Sequence, residues 1–324
     1  MVLCVGKGAK CRFIEEKEIV DPELIYENFP EYVKDSQQLV KLPETRLGAP
    51  GVLYVNQREF AATVPEDEMT KYIGTDNATT CNIVCVRHTG SRAVCLSHLD
   101  GSNTDEAIAS MIMSTQALTN PKDDSLGRLE IHVIGGYADE EDCSLEVTEG
   151  ILRACTKRPE KIYLNSLCVL SQNTEYFANR PRPILYGVAI EVHGGYCFPA
   201  KFMYKGPDIP IRTARLFRGT GDCLNIYDYQ NHELQIGPFD YQAWPNAEKY
   251  YLLPDALIRQ YLSTSPNVEK PDFAHCTKEA IKVIMQHPEP LETIFQNKVR
   301  KYKRKSDGFW ELIDSLNDSG TSSS

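Results

Sequence analysis

No stretch of this chain approaches the ~20 consecutive apolar residues that span a bilayer, so no membrane anchor is expected. No leader is expected either. Met1-Val2-Leu3-Cys4-Val5 is too short an apolar run for a signal peptide, and Gly6-Lys7 follows it. Positive charge is in deficit: 35 Lys and Arg stand against 45 Asp and Glu, a net charge of −10. That balance argues against nonspecific nucleic-acid binding, which needs basic surface to displace counterions. There is no internal repeat and no repeating cysteine framework. The 11 Cys are scattered, which points to free thiols in a reducing compartment, cytosol or nucleus. What remains is ordinary for a globular protein: 324 residues, 42% hydrophobic and 25% charged. One domain over residues 1–315 is expected, with 1–50 as an irregular segment packed on it and 316–324 as a disordered, Ser-rich tail.

The periodicities mix strands and helices. Residues 52–55 and 60–64 read as strands around Asn56-Gln57-Arg58-Glu59, and 128–134 and 161–170 as further strands. Ile108, Met111, Ile112, Thr115 and Leu118 recur at helical spacing behind a start signal at Asn103 or Thr104. Helices are also read over 140–156, 211–217, 255–263, 276–287 and 291–297. Residues 171–182 are polar and irregular, and the basic run Lys298 to Lys305 reads as a solvated face. Together these give an α+β sandwich, with helices packed on a largely antiparallel sheet.

The chemistry concentrates around one hairpin. Residues 82–87 and 92–97 are rich in β-formers and flank His88-Thr89-Gly90-Ser91, a tight turn. With Thr89-Gly90 as the loop, His88 pairs with Ser91 and Cys81 faces His98, at a Cβ separation of roughly 4.5–5.5 Å. A loop two residues longer moves His98 to the diagonal of Cys81 on the same face, whereas a one-residue change turns it away. A thiol and an imidazole on one face are the minimal unit of a cysteine nucleophile with its base. With 11 Cys and seven His, some close pair is also unsurprising, and most free Cys are small buried hydrophobes. A zinc site from Cys81, Cys85, Cys95 and His98 is an alternative that strand parity counts against. Cys81 and Cys85 lie about 13 Å apart at ~3.3 Å per residue, and Cys95 points to the opposite face.

Gly74-Thr75-Asp76-Asn77-Ala78-Thr79-Thr80-Cys81 through Gly90 resembles the active-site segment of the protein N-terminal asparagine amidohydrolase family. The resemblance continues in order through residues 97–101, 127–136, 186–190, 226–228 with 234–238, and Leu262-Ser263-Thr264-Ser265-Pro266, most of residues 50–315. The spacing of Thr75, Cys81 and His98 is also similar to that of chemotaxis-receptor glutamine deamidases and cytotoxic necrotizing factor toxins. The first resemblance implies hydrolysis of the side-chain amide of an N-terminal Asn to Asp, with ammonia released and the product fed to N-degron protein degradation. It implies Cys81 as nucleophile, His98 as base and acid, and Thr75 as the group that fixes the imidazole. His88 is the rival base. Asp76 and Asp100 flank the site, and either carboxylate can pair with the substrate α-ammonium. The expected partners are proteins or peptides beginning with Asn, with no cofactor, no metal, no nucleic acid and a monomeric enzyme. The rival readings are a glutamine deamidase or acyl transferase using the same Cys–His pair, and a non-catalytic peptide-binding protein.

Overall fold

Strand Asn82–His88 is buried at every position but Arg87, because both of its faces are covered. Val84 and Val86 pack with Ile108, Met111, Ile112, Ile151 and Leu152 from helices Thr104–Ala117 and Cys143–Thr156. Ile83 and Cys85 point the other way and pack with Ile73, Val188, Ile190, Leu234 and Ile236 from other sheets. The period of two along one strand therefore feeds two cores, and the protein is layered helix, sheet, sheet. In the computed structural model, residues 2–8, 11–15, 21–120 and 127–313 are described. They contain nine α-helices and nineteen strands. The expected tail, 316–324, lies outside them.

The central sheet has eight strands, with Asn82–His88 between Val94–Leu99 and Leu129–Gly135. A five-stranded sheet, which includes Val52–Tyr54, Tyr72–Thr75, Val188–Glu191 and Cys197–Phe202, covers its inner face. The expected α+β class is the one observed. Most strand pairs are antiparallel, as expected, with parallel pairs in both sheets. Leu129–Gly135, Lys161–Val169 and Val2–Val5 are successive parallel neighbours. The reason is connectivity: helix Cys143–Thr156 is the crossover between two of these strands, and a crossover helix returns the chain in the same direction.

Residues 1–50 also differ from the expectation. They add Val2–Val5 and Arg12–Glu15 to the edge of the central sheet and pack helices Pro22–Asn28 and Pro30–Leu39 on it. The Tyr32 hydroxyl donates to Leu164 O (2.7 Å) beside a register shift, satisfying a carbonyl there. Cys4 and Cys11, expected as free thiols, form a disulfide with Cα atoms 6.0 Å apart, while the nine other Cys are free. Residues 174–183, read as irregular, form a two-stranded ribbon. Strands 52–54 and 59–63 enter different sheets instead of pairing with each other. Asn103 occupies the N-cap of helix Thr104–Ala117 but makes no capping bond; its amide donates to Asp222 instead.

Near the C-terminus, helix Phe273–Gln286 packs in two directions. Ala280 and Ile284 meet Ala214 of helix Ile209–Arg218, and Ala274 and Ile281 meet Ile258 of helix Asp255–Leu262. Helix Ile209–Arg218 is in turn anchored by Arg212, which is fully buried and bonded to Glu59, itself 2% exposed. Removing one partner of such a pair leaves the other charge buried alone, which costs about 3–5 kcal/mol. Arg212→Met should therefore lower the urea midpoint by that equivalent, and adding Glu59→Gln should recover part of the loss. Equal midpoints for wild type and Arg212→Met would show that the pair stabilises nothing.

Candidate functional site

The site is built where the two facing sheets part at the end of the central hairpin. The hairpin's pairing is one step longer than the tight-turn expectation. Ile83 faces His98 and Asn82 faces Leu99, so Cys81 is the diagonal neighbour of His98 on the same face, and not its direct partner. The cause is a four-residue turn over Thr89–Arg92. His88 N–H donates to Ala93 O (2.9 Å), Ser91 N–H donates to His88 Nδ1 (3.2 Å), and Arg92 takes a φ of 60°. Because the change is two residues, parity is kept. His88 is placed at the turn, about 23 Å along the strand from Cys81 at ~3.3 Å per residue, and its ring is held by Ser91.

His98 projects between the sheets, where Thr75 of the second sheet meets it. Thr75 Oγ1 and His98 Nδ1 are 2.8 Å apart, and Thr75 is fully buried. The other ring nitrogen, Nε2, is buried and has no hydrogen-bond partner among the described residues. The tautomer that leaves Nε2 free to accept a proton carries its hydrogen on Nδ1 and donates it to Thr75 Oγ1. Cys81 is half-buried, and its carbonyl accepts from Gly136 N–H (2.9 Å). Gly135, at a φ of 110°, makes that approach possible: a Cβ there would lie 2.9 Å from Cys81 O. Burial holds both reactive groups neutral. It pushes the Cys81 thiol well up, reinforced by the charges of Asp100 and Glu269 and opposed by Arg58. It pushes His98 down to about 4, against the pull of Asp100 and Asp76.

The two flanking carboxylates already have partners. Asp76 Oδ1 pairs with Lys205 Nζ (2.6 Å) and accepts from Tyr54 Oη (3.1 Å), while Oδ2 accepts from Phe202 N–H (3.0 Å). Gly187 packs against it so closely that a Cβ would lie 2.6 Å from Asp76 Cβ. Asp76 borders a cavity of about 310 Å³ that Asn77, Tyr186 and Lys270 also line. Asp100 Oδ2 pairs with Arg58 Nε and accepts from Gln57 Nε2, both at 2.7 Å, and Oδ1 accepts from Ser102 N–H (3.0 Å). Burial opposes ionisation of Asp100, but Arg58 and these donors outweigh it and hold the carboxyl below its usual range. Cys85 and Cys95 lie in opposite cores, Cys85 between the sheets and Cys95 under the helices.

Two groups of site residues lay beyond sequence reasoning. Gly135-Gly136 gave a strand-end signal but none of contact with Cys81. The segment Ser263-Thr264-Ser265 caps the loop before Cys81: Ser265 Oγ donates to Thr79 Oγ1 (2.8 Å), and Thr264 and Thr80 hydroxyls bond at 3.0 Å. Glu269 follows it, bonded to the Ser263 hydroxyl. Only the Leu262–Pro266 resemblance marked this region.

Residues 42–312 match the family described as protein N-terminal asparagine amidohydrolase. The human protein of that name is 35% identical over 83% of this chain and 86% of its own length. The mouse protein gives the same figures, and the Arabidopsis thaliana protein is 26% identical over 80% of each chain.

The buried histidines fix a pH dependence of stability. His98 and His132 are each pushed from 6.5 down to about 4 by burial, so between those values the unfolded chain binds protons that the folded chain does not. Stability is therefore lost as pH falls from 6.5 toward 4. Glu269 acts oppositely, since burial raises its carboxyl from 4.5 to about 7 and the folded state then holds the extra proton. Two histidines outweigh one carboxyl, so Tm should fall with acidification across this window, and less steeply in His132→Asn. An unchanged slope in that variant would show that His132 does not titrate below its unfolded value.

Proposed function

The chain belongs to the protein N-terminal asparagine amidohydrolase family, and from that premise we propose that it hydrolyses the side-chain amide of an N-terminal Asn, giving Asp and ammonia, through a thioester on Cys81. The observation that carries the cysteine mechanism is the imidazole of His98, tied through Nδ1 to Thr75 with Nε2 unpartnered on the face that Cys81 shares. In the first half-reaction the Cys81 thiol gives its proton to Nε2, and sulfur attacks the amide carbon. Backbone N–H groups at Cys81 receive the oxyanion. The imidazolium then protonates the departing nitrogen, and ammonia leaves a thioester. In the second half, Nε2 takes a proton from water, hydroxide adds to the thioester carbon, and the thiol is restored with its proton. Thr75 holds the ring in the tautomer both halves need.

Protein and peptide substrates fit the surroundings. A groove of about 660 Å³ runs along Thr264, Ser265 and Pro266, the ribbon residues Phe177 and Arg182, and Tyr137, and gives the chain beyond the first residue a way out. The new N-terminal Asp is the feature that an N-degron pathway reads, and cytosol or nucleus is the compartment proposed for it. Rejection of Gln needs more than pocket size, because one methylene is worth only about 1–3 kcal/mol. A site that anchors both the α-amine and the reacting amide rejects the longer side chain by displacing its carbonyl.

Peptides beginning with Asn should gain about one dalton on incubation, whereas internal Asn and N-terminal Gln should be untouched or very slow. Cys81→Ala should keep the wild-type circular dichroism and lose all turnover. His98→Ala should cost about 10²–10⁴ in rate, His88→Ala far less, and Thr75→Ala an intermediate amount. Turnover by Cys81→Ala would sink the thioester mechanism, and a larger loss from His88→Ala than from His98→Ala would reverse the base assignment.

A further inference from the structure

Resting on that activity, one requirement is still without a residue: something must recognise the free α-ammonium, and a buried ammonium needs an opposite charge. In asparagine only Cα and Cβ separate the α-nitrogen from the reacting amide carbon. The carboxylate in question must therefore stand about one side chain from the Cys81 sulfur. Asp76 is neutralised by Lys205 and Asp100 by Arg58. Both also have both oxygens engaged by donors of the chain itself.

Glu269 is different. One oxygen accepts from the Ser263 hydroxyl, and no ion pair engages the carboxylate among the described residues. Ser263 Oγ also accepts from Ser265 N–H (2.9 Å), and Ser265 and Thr264 clasp Thr79 and Thr80. The carboxylate is thus mounted on the segment fastened to the loop that carries Cys81, and its charge is felt at the thiol. The neighbouring guanidinium does not neutralise it by contact, since Arg259 Nη2 donates to Pro271 O (2.8 Å). Asp272 adds a like charge nearby.

We propose that Glu269 receives the substrate α-ammonium, with Ser263 orienting the carboxylate and Asp76 and Asp100 holding the loop architecture. Burial lifts the Glu269 carboxyl to about 7 against the opposing Ser263 hydrogen bond and Arg259 charge, so a cation in direct contact is still wanting. An arriving ammonium supplies that cation and offsets the negative field at the thiol. An N-acetylated terminus brings no charge and an internal Asn brings none, so the group that binds also selects.

The test compares an Asn-starting peptide with its des-amino analogue, in which a succinamoyl group replaces the Asn, on the full chain and on Glu269→Gln. Wild type should prefer the free amine by about 30-fold or more in kcat/KM. Glu269→Gln should raise KM for the free-amine peptide, should not slow the des-amino reaction, which loses a repulsive charge at the thiol, and should bring the ratio toward one. Glu269→Asp keeps the charge and should retain most of the preference. A Glu269→Gln protein that is slower on both peptides with the wild-type ratio intact overturns the assignment, as does a wild-type protein that treats both peptides alike. Wild type that releases ammonia from neither peptide overturns the activity itself. If Glu269→Gln fails to fold, Ser263→Ala decides in its place: it should reduce the ratio, and an unchanged ratio counts against the proposal.

Discussion

The buried pair Arg212–Glu59 is the constraint on which the site's scaffold depends. Glu59 begins a strand of the central sheet, and Arg212 belongs to a helix far along the chain. Arg212 Nη2 also donates to Tyr54 O (3.1 Å) in the second sheet, and Nη1 to Lys205 O (3.0 Å). Tyr54 and Lys205 are the two side chains that hold Asp76 Oδ1, next to Thr75. One guanidinium with five donors in a rigid fork thereby ties both sheets, a helix and the active loop to a common origin. Lysine carries a point charge on a flexible stem and cannot make that set of bonds. A buried charge is costly, and here its use is positional: Thr75 must reach a histidine on another sheet within hydrogen-bond distance.

The layering explains why polar residues can stand there at all. Between the sheets the environment is apolar, lined by Ile73, Ile83, Val188 and Ile190. Thr75 and His98 lie at the margin of that core, where Thr75 Oγ1 and His98 Nδ1 bond to each other and Nε2 has no partner among the described residues. A buried unpartnered nitrogen costs free energy in the resting protein. Other buried groups, His287 Nδ1 among them, also have no hydrogen-bond partner among the described residues, but His98 Nε2 lies on the face of a half-buried thiol, the kind of local conflict that marks function.

How much of this was legible in the sequence follows from the range of each interaction. The Cys81–His98 relation was readable because it depends on strand parity, and parity survived a turn two residues longer than expected. The turn itself was misjudged because Arg92, a non-glycine residue, adopts a positive φ of 60°, which composition does not announce. Helices such as Thr104–Ala117 were readable from their 3.6-residue period. The parallel strand pairs were not. Nothing in Val2–Val5 states that it pairs in parallel with Lys161–Val169, since that follows from crossover connections and tertiary packing. Spacing likewise placed Asp76 and Asp100 near the thiol but could not reveal Lys205 and Arg58 beside them. Glu269 was invisible for the same reason: its neighbourhood is assembled by Ser263, Thr264 and Ser265 bonding to it and to Thr79 and Thr80, a contact between segments far apart in the chain.

A site that rests with a neutral thiol and a neutral imidazole raises the question of what activates it. Forming thiolate and imidazolium in a low dielectric requires their mutual attraction to overcome desolvation, and the negative charges of Asp100 and Glu269 add to the difficulty for sulfur. Arg58 offsets part of this but is already paired with Asp100. A cation delivered with the substrate changes the sign of the problem. Placed against Glu269, an ammonium cancels one repulsive charge and stabilises the thiolate by its own. The electrostatic stabilisation then exists only when a free N-terminus occupies the site, so it acts on the reaction of that substrate and on no other. On the proposed assignment, the resting reluctance of Cys81 is itself a source of selectivity. Buried and neutral, the thiol is a poor nucleophile toward internal amides that reach it without a charge, and toward adventitious electrophiles of the same kind.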